Sequence, residues 1–252
     1  NDADLYVFGE AIAGALPDVN ERLKKAGSKK QYKNLLGYTW GTGFGFGMVI
    51  DGRLNQGDNS CVETFCLPHK DYHDVIVEEG VAARALRRVY GEVSGDTEHE
   101  LEPYDICRIA EGQIPGNKEA AIKAFEKFGE IAGDAMATAV TLTDGLIVIG
   151  GGITGARKYI MPSLLKEMRS KMRTLGGDTL NRLQFNVYDL DDEVQFQQFA
   201  RGESRELKVY GTDKVVNYDP EKRIGIMTSA IGGSNAISIG AYSFALSKID
   251  GK

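Results

Sequence analysis

Three groups of residues in this sequence have the types and spacing to do chemistry. The first is Gly41-Thr42-Gly43-Phe44-Gly45-Phe46-Gly47, which joins the β-rich runs Tyr38-Thr39-Trp40 and Met48-Val49-Ile50. Glycine has no Cβ and tolerates positive φ, so Gly41-Thr42-Gly43 can bring bare backbone N–H groups against phosphate oxygens, with Thr42 adding a hydroxyl. The same spacing suits a β-hairpin in which Gly43, Gly45 and Gly47 only let another backbone come close. The second group, Gly150-Gly151-Gly152, ends the apolar run Leu146–Ile149 and precedes a helical pattern that opens at Pro162. A strand, glycines and then a helix is the layout of a nucleotide-binding turn, although the spacings of the P-loop and of the dinucleotide fold are absent. A tight connection without a ligand has the same signature. The third group is Asn1-Asp2 at the start of another helical pattern, where either residue can cap the helix or the carboxylate can face a cleft as a general base.

Those groups must be held by an ordered fold, and the composition permits one. The chain has 252 residues, 42% of them hydrophobic, and a formal net charge of −6, enough for one large or two small domains. The balance argues against a polyanion binder, and the basic cluster Lys24, Lys25, Lys29 and Lys30 reads as solvated charge at a helix end. Cys61, Cys66 and Cys107 are odd in number and lack CxxC spacing, which fits a reducing compartment and a cytoplasmic protein. No apolar run approaches the roughly 20 residues of a membrane span.

Periodicity predicts a helix through Leu5, Phe8, Ile12 and Leu16 that Pro17 interrupts, and a short one from Asp18 to Ala26. Strands follow at 37–40 and 46–50, then a loop from Asp51 to His73 rich in groups that can hydrogen-bond hydroxyls. Helices are expected at 78–90, 105–111 and 118–142, the last with Ile122, Phe125, Phe128, Ala132, Met136 and Ala139 inward. In the pattern from Pro162, Leu164, Leu165, Met168 and Met172 share one face. Residues 205–228 read as a β-ribbon and 234–246 as a closing helix.

In order and spacing these motifs resemble the ROK family of sugar kinases and sugar-responsive repressors. Asn1-Asp2-Ala3 resembles the core of the family's Glu-Asn-Asp-Ala-Asn segment, with Asp4 where Asn is usual. Gly41-Thr42-Gly43-Phe44-Gly45 is similar to its Gly-Thr-Gly-Ile-Gly phosphate turn, Asp51-Gly52-Arg53-Leu54 to the strand exit after it, and Ile147–Thr154 to its adenosine-side turn. The resemblance implies an α/β, actin-like ATPase (ribonuclease H-like) fold with a mixed five-stranded sheet and helices on both faces; the ribbon at 205–228 lies outside the family pattern, and its alternation of charged and apolar residues predicts a place at the surface or in a subunit contact. No Asp-x-Gly-Gly-Thr turn of the kind that opens family members occurs here, so residues 1–252 are expected to be the C-terminal lobe. Two further departures are Cys66 in the place of a usual His, with His69 out of register, and the lack of the family's zinc-binding cysteine cluster. Cys66, His69 and His73 can therefore be read as a chance metal trio or as plain loop residues.

The chemistry implied by the resemblance is ATP-dependent phosphorylation of a hexose, glucose-like or N-acetylated. Asp2 would be the general base, Asn1, Glu63 and Glu78 would bind the sugar, and Glu78 fits the family spacing better than Glu79. Gly41, Thr42 and Gly43 would approach the terminal phosphates of ATP, and Gly150, Gly151 and Gly152 its ribose and α-phosphate, with Mg²⁺ held by phosphates and water rather than by a protein cage. Expected partners are the hexose and a second copy of the chain, with neither nucleic acid nor membrane. The alternatives are a catalytically inactive sugar-binding module and a sugar-responsive transcriptional regulator.

Overall fold

Two apolar sets that alternate in phase show how the central sheet is covered on both sides. In β4 (Leu146–Gly150) every residue is buried. Leu146 and Val148 pack with Leu35 of β1 (Leu35–Trp40), whereas Ile147 and Ile149 pack with Leu36, Tyr38 and Trp40. Successive side chains of a strand point to opposite faces, so a strand covered on both sides reads as a continuous apolar run. The computed structural model describes residues 1–96 and 101–249. It places α1 (Asp2–Ala13), α2 (Ala15–Lys25), α7 (Glu193–Arg201) and α8 (Gly233–Ile249) on one face. The other face carries α3 (Ala83–Ser94), α4 (Pro103–Ala110), α5 (Lys118–Thr143) and α6 (Arg157–Met168).

The remaining strands are β2 (Phe44–Ile50), β3 (Arg53–Leu54), β5 (Lys171–Arg173), β6 (Thr179–Asn181), β7 (Asn186–Asp189), β8 (Arg205–Lys208), β9 (Val215–Tyr218) and β10 (Arg223–Thr228). The main sheet runs β3-β2-β1-β4-β10-β7, six strands rather than five, because the exit at Arg53–Leu54 adds a two-residue strand. Strands β1, β4, β10 and β7 are parallel, and β2 is antiparallel to β1. Four strands therefore end at one edge of the sheet, the edge at which open parallel sheets bind ligands.

Helix α1 begins where the sequence places it, since Asn1 Oδ1 accepts from Ala3 N at 3.0 Å as an N-cap. Its inward face differs from the expected one. Ile12 is exposed and Phe8 only half-buried, while Ala3, Tyr6, Val7, Gly9 and Glu10 face inward. Close backbone packing explains this: a Cβ at Gly9 would overlap the Ala236 carbonyl of α8, and one at Gly240 would overlap the Leu5 carbonyl of α1. The break comes at Gly14, not at Pro17. The buried Glu10 carboxylate folds back over Gly14 and accepts from Ala15 N at 2.8 Å, while Pro17 sits harmlessly in the first turn of α2.

Three further expectations are corrected. The ribbon read at 205–228 is two structures: β8 and β9 form an exposed hairpin, but β10 is buried in the main sheet between β4 and β7. The Asp219-Pro220 turn separates them, and the charge that disguises β10, Arg223, is buried with Asp219 2.6 Å away. Pro162 lies inside α6 rather than at its start, because the helix grows directly out of a 3₁₀ turn at Gly152–Ala156. Met172 belongs to the exposed hairpin β5–β6 and takes no part in the face of α6. The stripe expected on α5 is buried from Phe125 to Ala139, with Trp40 and Phe128 meeting edge to face at 5.2 Å.

Candidate functional site

The register of β1 and β4 aligns Thr39 with Gly150, so the Gly41 and Gly150 turns leave the sheet side by side at its C-terminal edge. The four alternating glycines of the first turn do two different jobs. Gly45 and Gly47 lie under α1, where side chains would run into Ala3 and Val7; at these positions the close-approach reading holds. Gly41 faces open space, and Gly43 faces the Glu78 carboxylate, 3.0 Å from where a Cβ would lie. Thr42, between them, is exposed.

The second turn divides in the same way. A Cβ at Gly150 would stand 2.7 Å from Tyr6 Oη. Gly151 has φ 96°, and a Cβ there would overlap the Trp40 carbonyl oxygen. Gly152 and Gly155 open onto empty space. Gly150 and Gly151 are thus fixed by packing, and the part of this turn free to approach a ligand starts at Gly152.

Beside the turns stands a group of acids. Asn1 caps α1 with its oxygen and donates from Nδ2 to Glu63 Oε1, so the start of the helix is tied to the loop that carries Glu63. Burial and the neighbouring negative charges of Asp4 and Glu78 push the Glu63 carboxyl above its ordinary range, and the bond from Asn1 offsets part of that. Asp2 is exposed in the first turn of α1. Glu78 and not Glu79 turns toward the glycines: its Oε2 accepts from Phe44 N at 3.0 Å and its Oε1 from Arg84 Nη2 at 2.8 Å. The two glycine turns and Glu78 share this edge of the sheet, and Asn1 ties Glu63 to the start of α1, which packs over Gly45.

Further residues line the site without a role assigned to them by the motifs. Asp4 is 5% exposed and accepts from Gln56 Nε2 at 3.1 Å. Arg84 bridges Glu78, Glu79 and the Thr42 carbonyl. Beneath the second turn, Glu10 accepts from the Ser229 hydroxyl, which itself accepts from Gly232 N at 2.9 Å ahead of α8. Burial holds both the Glu10 carboxyl and the Tyr6 phenol above their ordinary values. Cys66 and His73 are exposed while His69 is buried, its Nδ1 accepting from Asp71 N at 3.1 Å. Among the described residues no three His, Cys, Asp or Glu side chains are placed to hold a metal.

Residues 18–182, well over half of the sequence and including both glycine turns, Glu63 and Glu78, match the ROK family. The chain belongs to the ROK family. Asn1 and Asp2 lie outside the matched residues. This ROK chain is 55% identical to a glucokinase from Parabacteroides distasonis ATCC 8503, whose crystal structure it matches with a TM-score of 0.90 over 98% of this chain and 67% of that one. It superposes with a TM-score of 0.57 and 16% identity on a ROK family glucokinase from Streptomyces griseus in complex with glucose and AMPPNP, covering 97% and 66% of the two chains. It is 26% identical over 177 residues to the N-acetylgalactosamine kinase AgaK of Shewanella sp. (strain ANA-3), covering 64% of this chain. The chain spans about half, 51%, of the length of that curated relative. Its architecture is the actin-like ATPase fold, as the motifs imply. Among the described residues no helix is long and apolar enough to cross a membrane.

Proposed function

We propose that the full-length protein transfers the terminal phosphoryl group of ATP to a hydroxyl of a hexose, with glucose as the first candidate. The observation that carries this reading is the bond from Phe44 N to Glu78, which makes the acids suited to sugar hydroxyls and the glycine turn suited to phosphate one continuous wall. The 55% identity to the Parabacteroides distasonis glucokinase supports glucose, and the more distant relation to an N-acetylgalactosamine kinase names the class to test beside it.

In this reading Glu63 and Glu78 accept hydrogen bonds from sugar hydroxyls and Asn1 holds the reacting hydroxyl near Asp2. Neutral hydroxyls are discriminated well by such fixed acceptors, because an epimer leaves one of them unpaired. As the sugar oxygen forms its bond to the γ-phosphorus, its proton passes to the Asp2 carboxylate. The bond from that phosphorus to the β,γ-bridging oxygen breaks, and its electron pair leaves with ADP. Backbone N–H groups of the Gly41 turn face the phosphoryl oxygens, where Gly41 leaves room for them. Bound Mg²⁺ supplies charge neutralisation at the phosphates. With no cluster of three acidic, His or Cys side chains among the described residues, the ion would be held mainly by phosphates and water.

The test is ADP release by the full-length protein with ATP, Mg²⁺ and either glucose or N-acetylgalactosamine. Turnover with glucose is expected. Calorimetric binding of glucose without turnover would overturn the kinase in favour of a sugar-binding module, and turnover with N-acetylgalactosamine alone would overturn glucose as the substrate.

A further inference from the structure

One short segment, Glu78 to Arg84, holds the phosphate-facing turn at Gly41, Thr42 and Phe44. Ala83 N donates to the Gly41 carbonyl at 2.9 Å, and Arg84 Nη1 donates to the Thr42 carbonyl at 3.4 Å. Glu78 Oε2 lies 3.0 Å from where a Cβ on Gly43 would be and accepts from Phe44 N at 3.0 Å. Arg84 closes the circuit: its Nη2 reaches Glu78 Oε1 at 2.8 Å and its Nε reaches Glu79 Oε1 at 2.7 Å. The guanidinium is therefore clamped between two carboxylates on one side and the turn on the other.

From this geometry we infer that Arg84 is a positioning residue that couples the sugar site to the phosphate turn, so that sugar and nucleotide each tighten the binding of the other. The inference rests on the proposed kinase function. A carboxylate offers about four lone-pair sites, of which Phe44 N and Arg84 use one on each oxygen of Glu78, leaving room for a hydroxyl. A sugar hydroxyl bound to Glu78 fixes that carboxylate, and Arg84, as a planar fork of donors, passes the constraint to the Thr42 carbonyl while Phe44 N is held directly. The phosphate-facing N–H groups are then ordered before nucleotide arrives. Linkage makes the effect reciprocal. Lysine at 84, a single point charge, cannot span Glu78, Glu79 and Thr42 together.

The experiment titrates the full-length protein with AMPPNP by calorimetry, with and without saturating glucose. In the parent, glucose should tighten AMPPNP about fivefold or more, the lower end of ordinary coupling between sites. Arg84→Ala should bring that ratio below about twofold, and Arg84→Lys should leave it below half of the parent's. Arg84 is 41% exposed along its side chain, so truncation opens no core cavity, and a melting temperature near the parent's would verify the fold. If Arg84→Ala fails to fold, the Lys variant carries the same test. A parental ratio retained in the variants, or a ratio of one in a parent that binds both ligands, would overturn the coupling and leave the kinase reading intact. A parent that binds neither glucose nor AMPPNP would overturn the kinase reading itself.

Discussion

The carbonyl oxygen of Trp40 occupies the space into which any side chain at Gly151 would have to grow. Gly151 also has φ 96°, a conformation that costs a non-glycine residue about 1–3 kcal/mol. Gly151→Val should therefore lower the melting temperature, and any loss of nucleotide binding there reports damage to the β1–β4 junction. Gly152→Val is the cleaner probe, since its side chain would enter open space. It should melt near the parental temperature while weakening AMPPNP in calorimetry; unchanged AMPPNP affinity would remove Gly152 from the nucleotide wall.

Asp2→Asn in the full-length protein should lower kcat about 10²- to 10⁴-fold, the usual contribution of a general base. The amide keeps the size and one acceptor but cannot take the proton, so glucose affinity should barely change. Full turnover in this variant, in a steady-state assay with calorimetry alongside, would rule Asp2 out as the base.

Glu63 should give the proposed sugar site a pH signature. Only the ionised carboxylate accepts hydroxyl donors at both oxygens, and its proton affinity is raised by burial and by Asp4. Glucose affinity should accordingly fall with acidification, beginning above the ordinary value of 4.5. Glu63→Gln should bind glucose more weakly at neutral pH, by an amount consistent with about 1.5–3 kcal/mol for a hydrogen bond to a charged group. Its affinity should not follow pH in that window. A parental pH profile in Glu63→Gln would place the titrating group elsewhere.

Glu10 gives the fold a pH signature with a defined sign. Its carboxyl is raised on folding by burial, so the stability it contributes is complete below the unfolded value near 4.5 and is lost as pH rises through the folded value. Glu10→Gln does not titrate, and its amide can keep both bonds, the oxygen accepting from Ala15 N and the nitrogen donating to the Ser229 hydroxyl oxygen, so it stands in for the neutral acid. In urea unfolding, the stability of the parent relative to this variant should be highest in acid and fall as pH is raised through that window. A difference independent of pH would mean that Glu10 does not titrate differently in the folded chain.

Much of the site was legible because glycine spacing, apolar runs and one acid beside another survive in sequence as patterns. Strands β1, β2 and β4 and the long helix α5 were readable because their partners bury them on fixed periods. The choice of Glu78 over Glu79 followed from family spacing, and the structure turns Glu78 toward the glycines. What could not be read depends on contacts distant in sequence. Gly41 and Gly47 look alike in the chain and differ only in that α1 covers one of them. The inward face of α1 departs from its apolar periodicity because Gly9 and Glu10 face the core there. Strand β10 reads as ribbon because Arg223 has the look of a surface charge, whereas its partners Asp219 and Glu221 hold it in the fold. Arg84 carries no motif, since its role lies in three contacts that only the folded turn creates.

Helix α1 meets its neighbours backbone to backbone at Gly9 against Ala236, Gly240 against Leu5 and Gly47 against Ala3, while the short Val7 side chain packs directly on Gly37. Contacts of that kind leave no long side chains to bend, so the helix has neither the slack to slide nor the clearance to roll. If phosphoryl transfer demands a closing motion, the proposed base at Asp2 is the anvil and not the hammer: the donor must be carried to it. Variants that loosen these glycine contacts should then blur the aim of the base before they unfold the chain.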